Sequence, residues 1–167
     1  MINGINKENH ALLTIKGLKT VFRLKDGTLL HAVDGIDLTI RPGEIRGLVG
    51  ESGCGKTVAS LSILKLIDRP GFISGGEVLW NGNDLLKLNK HDMRKVRGKE
   101  IAMVFQNPQA SLNPLYTIGD QMKAVIRLHR SISKKEAGDE VIRLLRTVKL
   151  PDPEKRINDY PHQLSGG

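Results

Sequence analysis

The stretch Gly50-Glu51-Ser52-Gly53-Cys54-Gly55-Lys56-Thr57 constrains this chain more than any other feature. It fills the pattern G-x-x-x-x-G-K-[ST] completely, and its flanks suit the pattern's mechanism. The apolar run Ile45-Arg46-Gly47-Leu48-Val49 predicts a strand before it, and Thr57 to Leu66, with Leu61 and Leu64 at helical spacing, predicts a helix after it. Glycines let the backbone wrap so that successive N–H groups point inward around phosphates, and the following helix adds the positive end of its dipole. Lys56 is placed to reach the β and γ phosphates of a nucleotide. Thr57 is placed to offer its hydroxyl to Mg²⁺, which takes most of its octahedral shell from water and phosphate oxygens. The competing reading is a glycine-rich turn that binds nothing, and the full match between strand and helix weighs against it. Cys54 reads as a small filler of the loop rather than a nucleophile.

Composition narrows the class. The chain has 167 residues, 39% of them hydrophobic and 26% charged, as in an ordinary soluble globular protein, which excludes collagen-like, mucin-like and acidic disordered chains. Twenty-six Lys and Arg against 18 Asp and Glu give +8, with much of the excess between Lys87 and Arg156. Only Phe105 and Tyr116 interrupt the aromatic-free stretch between Trp80 and Tyr160, so the interleaving that supports base stacking is missing and no nucleic acid is expected. A solvated helical face or another anionic partner accounts for the charge. The single cysteine rules out an intramolecular disulfide and fits a reducing compartment. No apolar run approaches the ~18 residues of a membrane span, and the N-terminus lacks a secretory pattern.

Along the chain, Leu12 to Ile15 and Thr20 to Phe22 predict short strands, and Asp26-Gly27 predicts a hairpin turn before Leu29 to Val33. A further alternating run covers Ile36 to Ile40, with turn chemistry at Arg41-Pro42-Gly43-Glu44. Glu77 to Gly82 reads as a strand ending in an Asn-Gly turn, and Ile101 to Phe105 as a buried strand. Helical spacing then takes over in Ile118 to Leu128 and Lys134 to Val148, the second opened by a capping box of Ser133 and Glu136.

Two further segments carry a resemblance. Val104-Phe105-Gln106-Asn107-Pro108 follows a predicted strand, and the chain closes with Tyr160-Pro161-His162-Gln163-Leu164-Ser165-Gly166-Gly167. In this order of phosphate loop, strand-ending glutamine and Leu164 to Gly167, the chain is similar to the ATP-binding subunit of ABC transporters, from about Leu12 onward. Asp34-Gly35-Ile36, Gly50 to Gly53, Ser111-Leu112-Asn113-Pro114 and Pro151-Asp152-Pro153 resemble the oligopeptide/dipeptide importer branch, a pattern that nickel importers largely share. The fold implied is α/β: a P-loop NTPase of ABC type, with an incomplete RecA-like core, an N-terminal antiparallel β part and a helical subdomain. Residues 1–10 are then a polar tail, 11–106 the β-rich and P-loop core, and 107–167 the helical subdomain up to the signature motif.

The resemblance also implies roles, with ATP and Mg²⁺ as ligands. Gly50, Glu51, Ser52, Gly53, Cys54, Gly55, Lys56 and Thr57 hold the phosphates. Val58 stands where many relatives have a hydroxyl, so a side-chain contact to the α-phosphate is lost. Gln106 matches the Q-loop glutamine, which meets Mg²⁺ together with Thr57 and the attacking water. Ser165, Gly166 and Gly167 match the signature motif, which acts in trans on the γ-phosphate held by a partner subunit. Phe22, the only aromatic residue before the loop, is the candidate for stacking on adenine, and core packing is its competing reading. The implied partners are a second, homologous ATP-binding subunit and transmembrane permease subunits, at the cytoplasmic, inner face of the cell membrane.

Up to Gly167 there is no apolar strand ending in Asp-Glu, and His10, His31, His91, His129 and His162 all lie upstream of where the family has its switch histidine. Without that Asp and Glu, hydrolysis by this chain alone is expected at background. Two function classes stay open: the energy-coupling ATPase subunit of a di/oligopeptide importer, with a nickel importer as its variant, or a catalytically inactive nucleotide-binding or interaction fragment. A last expectation concerns folding. If the parallel part of the sheet is incomplete, Ile45, Leu48, Val49, Ile101, Met103 and Val104 stay exposed, and the isolated chain packs loosely.

Overall fold

The computed structural model describes residues 11–107 and 111–164, which belong to two compact units, Met1–Arg94 and Lys95–Gly167. The first unit is built on a hairpin of two long strands, β1 (Leu13–Arg23) and β2 (Leu29–Ile40). Each joins two segments that the sequence pattern separates. The separation falls at irregularities of pairing, where Gly17 and Gly35 take positive φ and the Gly17 N–H donates to Asp37 Oδ1 at 2.7 Å. A bulge interrupts the alternation there without ending the strand. The Asp26-Gly27 turn forms as the sequence predicts: Gly27 has φ 87°, and Asp26 Oδ1 accepts from the Thr28 N–H at 2.9 Å.

The next elements are α1 (Lys56–Ile63), β3 (Gly71–Trp80), β4 (Asn83–Asp84) and α2 (Lys90–Val96). The strands form one sheet in the order β2-β1-β3-β4, antiparallel throughout. Asn81 and Gly82, both at positive φ, make the predicted two-residue turn into β4. β3 starts at Gly71, well before the predicted Glu77, because its first half is rich in glycine and exposed positions and gives little periodic signal. Close approach explains one of those glycines: a Cβ on Gly76 would lie 2.5 Å from the Leu18 Cα. Ile15, Leu18, Val21, Val78, Leu85 and Met93 form the centre of the core.

Helix α1 is tied to the sheet by a polar contact inside this apolar core. Thr20 and Ser62 are both fully buried, and their hydroxyl oxygens are 2.7 Å apart. Ser62 donates to the Val58 carbonyl at 2.7 Å, so the Thr20 hydroxyl is the donor between the two. Both groups are thereby satisfied, as buried hydroxyls require.

Two predicted strands are absent and are corrected here. Residues 45–49 and 101–105 are irregular, apart from an isolated bridge between Arg97 and Ile101. Parallel-type apolar strands exist only by pairing, and neither segment has a ladder partner among the described residues. Ile45, Val49 and Val104 are 98, 94 and 88% exposed and Leu48 53%, as the folding expectation has it, whereas Ile101 and Met103 are half-buried.

The second unit holds α3 (Ile118–His129), α4 (Lys134–Thr147) and α5 (Pro153–Arg156). The capping box predicted at Ser133 and Glu136 is formed, with both of its hydrogen bonds. Ala137, Val141 and Leu145 are the buried stripe of α4. At the start of α3, the N–H groups of Ile118 and Gly119 donate to the carbonyls of Asp159 and Ile157, each at 2.8 Å. Gly119 must be glycine there, since a Cβ would lie 2.3 Å from Ile157. The side chain of Gln121 braces the preceding loop, accepting from the Asn113 N–H and donating to the carbonyls of Asn113 and Tyr116.

Glu140 links the end of α3 to the middle of α4 by accepting from Arg143 and from Arg130. The Arg143 hydrogen bonds, with Arg130 behind them, hold its carboxyl down at about 2, against an ordinary value of 4.5. Because the folded value is depressed, this link adds stability above about pH 4.5 and loses it as the pH falls toward 2. Glu140→Gln should therefore lower the thermal midpoint at pH 7, with the gap to the parent closing between pH 4.5 and 2 in melts followed by circular dichroism. At the Thr20–Ser62 contact, Ser62→Ala orphans the Thr20 donor and should cost about 1–3 kcal/mol. Thr20→Val leaves Ser62 donating to Val58 and should cost less, about 0.5–1.5 kcal/mol. Urea unfolding that gave equal costs would contradict the donor assignment.

Candidate functional site

The loop that precedes α1 is shaped first by the turn over residues 41–44. Gly43 has φ 74°, the Glu44 N–H donates to the Arg41 carbonyl at 3.1 Å, and the Arg41 N–H donates back to Glu44 Oε2 at 2.7 Å. The Arg41 N–H, with Arg46 beside it, keeps the Glu44 carboxyl below the usual carboxylate range. From there the backbone runs without regular structure into Gly50.

Residues 50–57 close on themselves. Gly53 and Gly55 take φ of 82° and 89°, values that a residue with a Cβ rarely adopts. The Cys54 N–H donates to the Glu51 carbonyl at 3.3 Å, and the Ala59 N–H to the Gly55 carbonyl at 2.8 Å, the first helical bond of α1. Gly55 also lies against β2, where a Cβ would stand 2.2 Å from the Ala32 carbonyl oxygen. A Cβ on Gly50 would lie 2.5 Å from Cys54 Sγ, so the exposed thiol lies against Gly50.

Lys56 turns back into this ring. Its Nζ donates to the carbonyls of Gly50 at 2.7 Å and Glu51 at 2.6 Å, with Cys54 Sγ at 3.3 Å. The ammonium thus stands among loop carbonyls at the mouth of the loop. No acidic residue occupies the first turn of α1 and no side chain caps it, so its leading N–H groups keep their partial positive charge. Thr57 is exposed on that first turn, with its hydroxyl open to a cation, and Val58 is half-buried beside it. A recess of about 180 Å³ adjoins the loop, lined by Ala32, Val33, Asp34, Leu48, Cys54 and Lys56 among others. An ammonium, uncapped helical N–H groups and an open hydroxyl form a donor set that fits a phosphate chain with Mg²⁺.

The other predicted residues lie as follows. Phe22 stands opposite Gly71 in the sheet, and its ring fills the space over that glycine: a Cβ there would meet Phe22 Cε1 at 2.6 Å and Ile67 Cγ2 at 2.7 Å. The ring is half-buried and takes part in packing. Gln106 is exposed, in a bend of the second unit. Ser165, Gly166 and Gly167 lie outside the described residues, as do Pro108 and the tail over residues 1–10. Just before Ser165, the rings of Tyr160 and His162 stack at 5.8 Å, and the Tyr160 N–H donates to Gln163 Oε1 at 2.8 Å. The seat of Gly55 on Ala32 was not legible beforehand, since no sequence signal announces a contact to a backbone carbonyl.

The loop geometry makes a prediction. Gly55→Ala adds strain of about 1–3 kcal/mol from its positive φ alone, before the collision with Ala32 is counted. Nucleotide affinity should fall at least about tenfold in a fluorescence titration. Gly47→Ala, where a Cβ meets nothing within 4 Å, should leave it unchanged.

Comparison with known proteins adds an independent line. A family model described as ABC transporter matches residues 33–167. A protein of Brucella ovis described as a peptide import ATP-binding protein is 48% identical over 162 residues, covering 93% of this chain and 48% of that protein. One from Sinorhizobium fredii, described as a peptide ABC transporter ATP-binding protein, is 42% identical over 163 residues, covering 97% and 48%. The chain therefore spans about half the length of the curated relatives it matches. Among solved structures, the dimeric structure of a bacterial ABC transporter cassette matches at a TM-score of 0.77 and 26% identity, over 92% of this chain and 63% of that one. No helix among the described residues is long and apolar enough to cross a membrane.

Proposed function

The chain belongs to the ABC transporter family, and from that premise we propose that it binds Mg²⁺-ATP as part of the ATP-binding, energy-coupling subunit of a peptide importer. The observation that carries the reading is the loop over residues 50–57, closed around the Lys56 ammonium at the uncapped start of α1. Relatives named for peptide import and ATP binding favour peptides over nickel as the cargo.

In this reading Lys56 exchanges its bonds to the Gly50 and Glu51 carbonyls for oxygens of the β and γ phosphates, which are stronger, charge-assisted acceptors. The N–H groups at the start of α1 orient the phosphate chain, and the close approach of Gly55 to Ala32 holds the end of the loop against β2. Thr57 would hold Mg²⁺, whose chemistry when bound is to neutralise charge on the phosphate oxygens, and Gln106 takes the part of the Q-loop glutamine. The half-buried Phe22 ring is the candidate to stack on adenine, and Val58 contributes no polar contact. Ser165, Gly166 and Gly167 serve the nucleotide of a second, homologous subunit, and the helical unit meets permease subunits at the cytoplasmic face of the membrane. The catalytically inactive, nucleotide-binding variant of this reading rests on the same loop.

Lys56→Ala removes the charge-assisted contacts, worth about 1.5–3 kcal/mol, and should weaken binding of a fluorescent ATP analogue by about ten- to a hundredfold. Removing Mg²⁺ should weaken the parent more than the variant. Equal affinity of parent and variant would sink the assignment.

A further inference from the structure

β3 is paired along its length on one side only. On the other side β4 pairs with Leu79 and Trp80 alone, the Val78 N–H donates to Asp84 Oδ1 at 3.4 Å and the Gly71 N–H to the Asp68 carbonyl at 2.8 Å, so the stretch from Phe72 to Glu77 is the open sheet edge among the described residues. Natural sheets normally keep such edges short, charged or covered. This one faces a recess of about 510 Å³, lined by Lys65, Arg69, Phe72, Ser74, Gly75 and Leu86 among others. A second recess of about 360 Å³, lined by Arg23, Arg69 and Phe72 among others, continues it past the start of the strand.

The chemistry of this cleft is one-sided. Its charged lining residues, Lys65, Arg69 and Arg23, are all cations, and the acids nearest in sequence, Asp68 and Glu77, are not among the lining residues. Arg23 and Arg69 form no ion pair or side-chain hydrogen bond among the described residues, whereas Lys19, Arg46 and Lys87 of the same unit each meet a carboxylate. Lys65 is held in place by the Leu86 and Leu88 carbonyls at 2.7 and 2.8 Å. Phe72 is 40% exposed at the junction of the two recesses, and a Cβ on Gly75 would meet nothing within 4 Å, which leaves room beside the strand.

We propose that the open edge of β3 takes up an extended, acidic peptide segment as an added strand. The edge supplies main-chain hydrogen bonds over about five residues, or ~17 Å of extended chain. Arg69 and Arg23 select carboxylates, with the positive charge of the pinned Lys65 beside them, and Phe72 with Leu86 gives alternate side chains an apolar seat. The site is separate from the phosphate loop and does not depend on the nucleotide reading.

The test titrates this chain with a fluorescein-labelled hexapeptide of alternating valine and glutamate. Saturable binding is expected, at least about tenfold weaker for the same peptide N-methylated at alternate residues and for its valine–lysine counterpart. Arg69→Glu and Ser74→Glu, both at exposed positions, should each weaken it by a similar factor. Lys56→Ala should leave it unchanged, and bound peptide should slow amide exchange in residues 72–76. Equal binding of the N-methylated peptide, binding insensitive to Arg69→Glu, or protection found in residues 50–57 instead would each overturn the proposal. So would full displacement by inorganic phosphate at equal concentration, which would reduce the cleft to an anion site.

Discussion

The contact between Gly55 and the Ala32 carbonyl sets the geometry on which the site depends. It places the end of the loop on β2, and the positive φ of Gly55 turns the chain there into α1. Once α1 starts at that point, its second turn brings Ser62 over β1, where Thr20 donates to it inside the core. One backbone approach and one buried hydrogen bond thus fix both ends of a helix only eight residues long. A helix of that length would be marginal in isolation, so its order comes from these tertiary contacts.

The same arrangement governs the electrostatics. Lys56 leaves from the first turn of α1 and reaches back to Gly50 and Glu51, so its ammonium stands among the carbonyls at the loop mouth. Neutral carbonyl oxygens are weaker acceptors for an ammonium than charged phosphate oxygens. The shape of the loop is thus held by its own backbone together with the Lys56 side chain.

The parts of the molecule differ in how they are held. The antiparallel sheet closes its own core around Ile15, Leu18, Val21 and Val78, and the helical unit combines local devices, the capping box of α4 and the Gln121 brace, with long-range bonds from the first turn of α3 to Ile157 and Asp159. Residues 45–49 and 101–105 have neither kind of support. Their apolar side chains at Ile45, Val49 and Val104 face solvent, as unpaired parallel-type strands must.

Where a feature rests on neighbours in sequence, the chain announces it. The glycine turns of the loop over residues 50–57, the Asp26-Gly27 and Asn81-Gly82 turns and the Ser133–Glu136 box depend on residue types at fixed offsets, so all were legible, together with the family that the motifs resemble. The strand expected over residues 45–49 failed because an apolar run shows a preference for burial and not whether a partner is present to pair with it. The first half of β3 escaped notice for the opposite reason, since glycines and exposed positions formed a strand only because β1 lies beside them. Phe22 was legible as the one aromatic residue before the loop, yet its packing over Gly71 and Ile67 required the register of two strands. Tertiary structure alone placed Ala32 under Gly55 and Thr20 under Ser62, because those contacts join residues more than twenty positions apart through backbone and hydroxyl groups that carry no periodic signal.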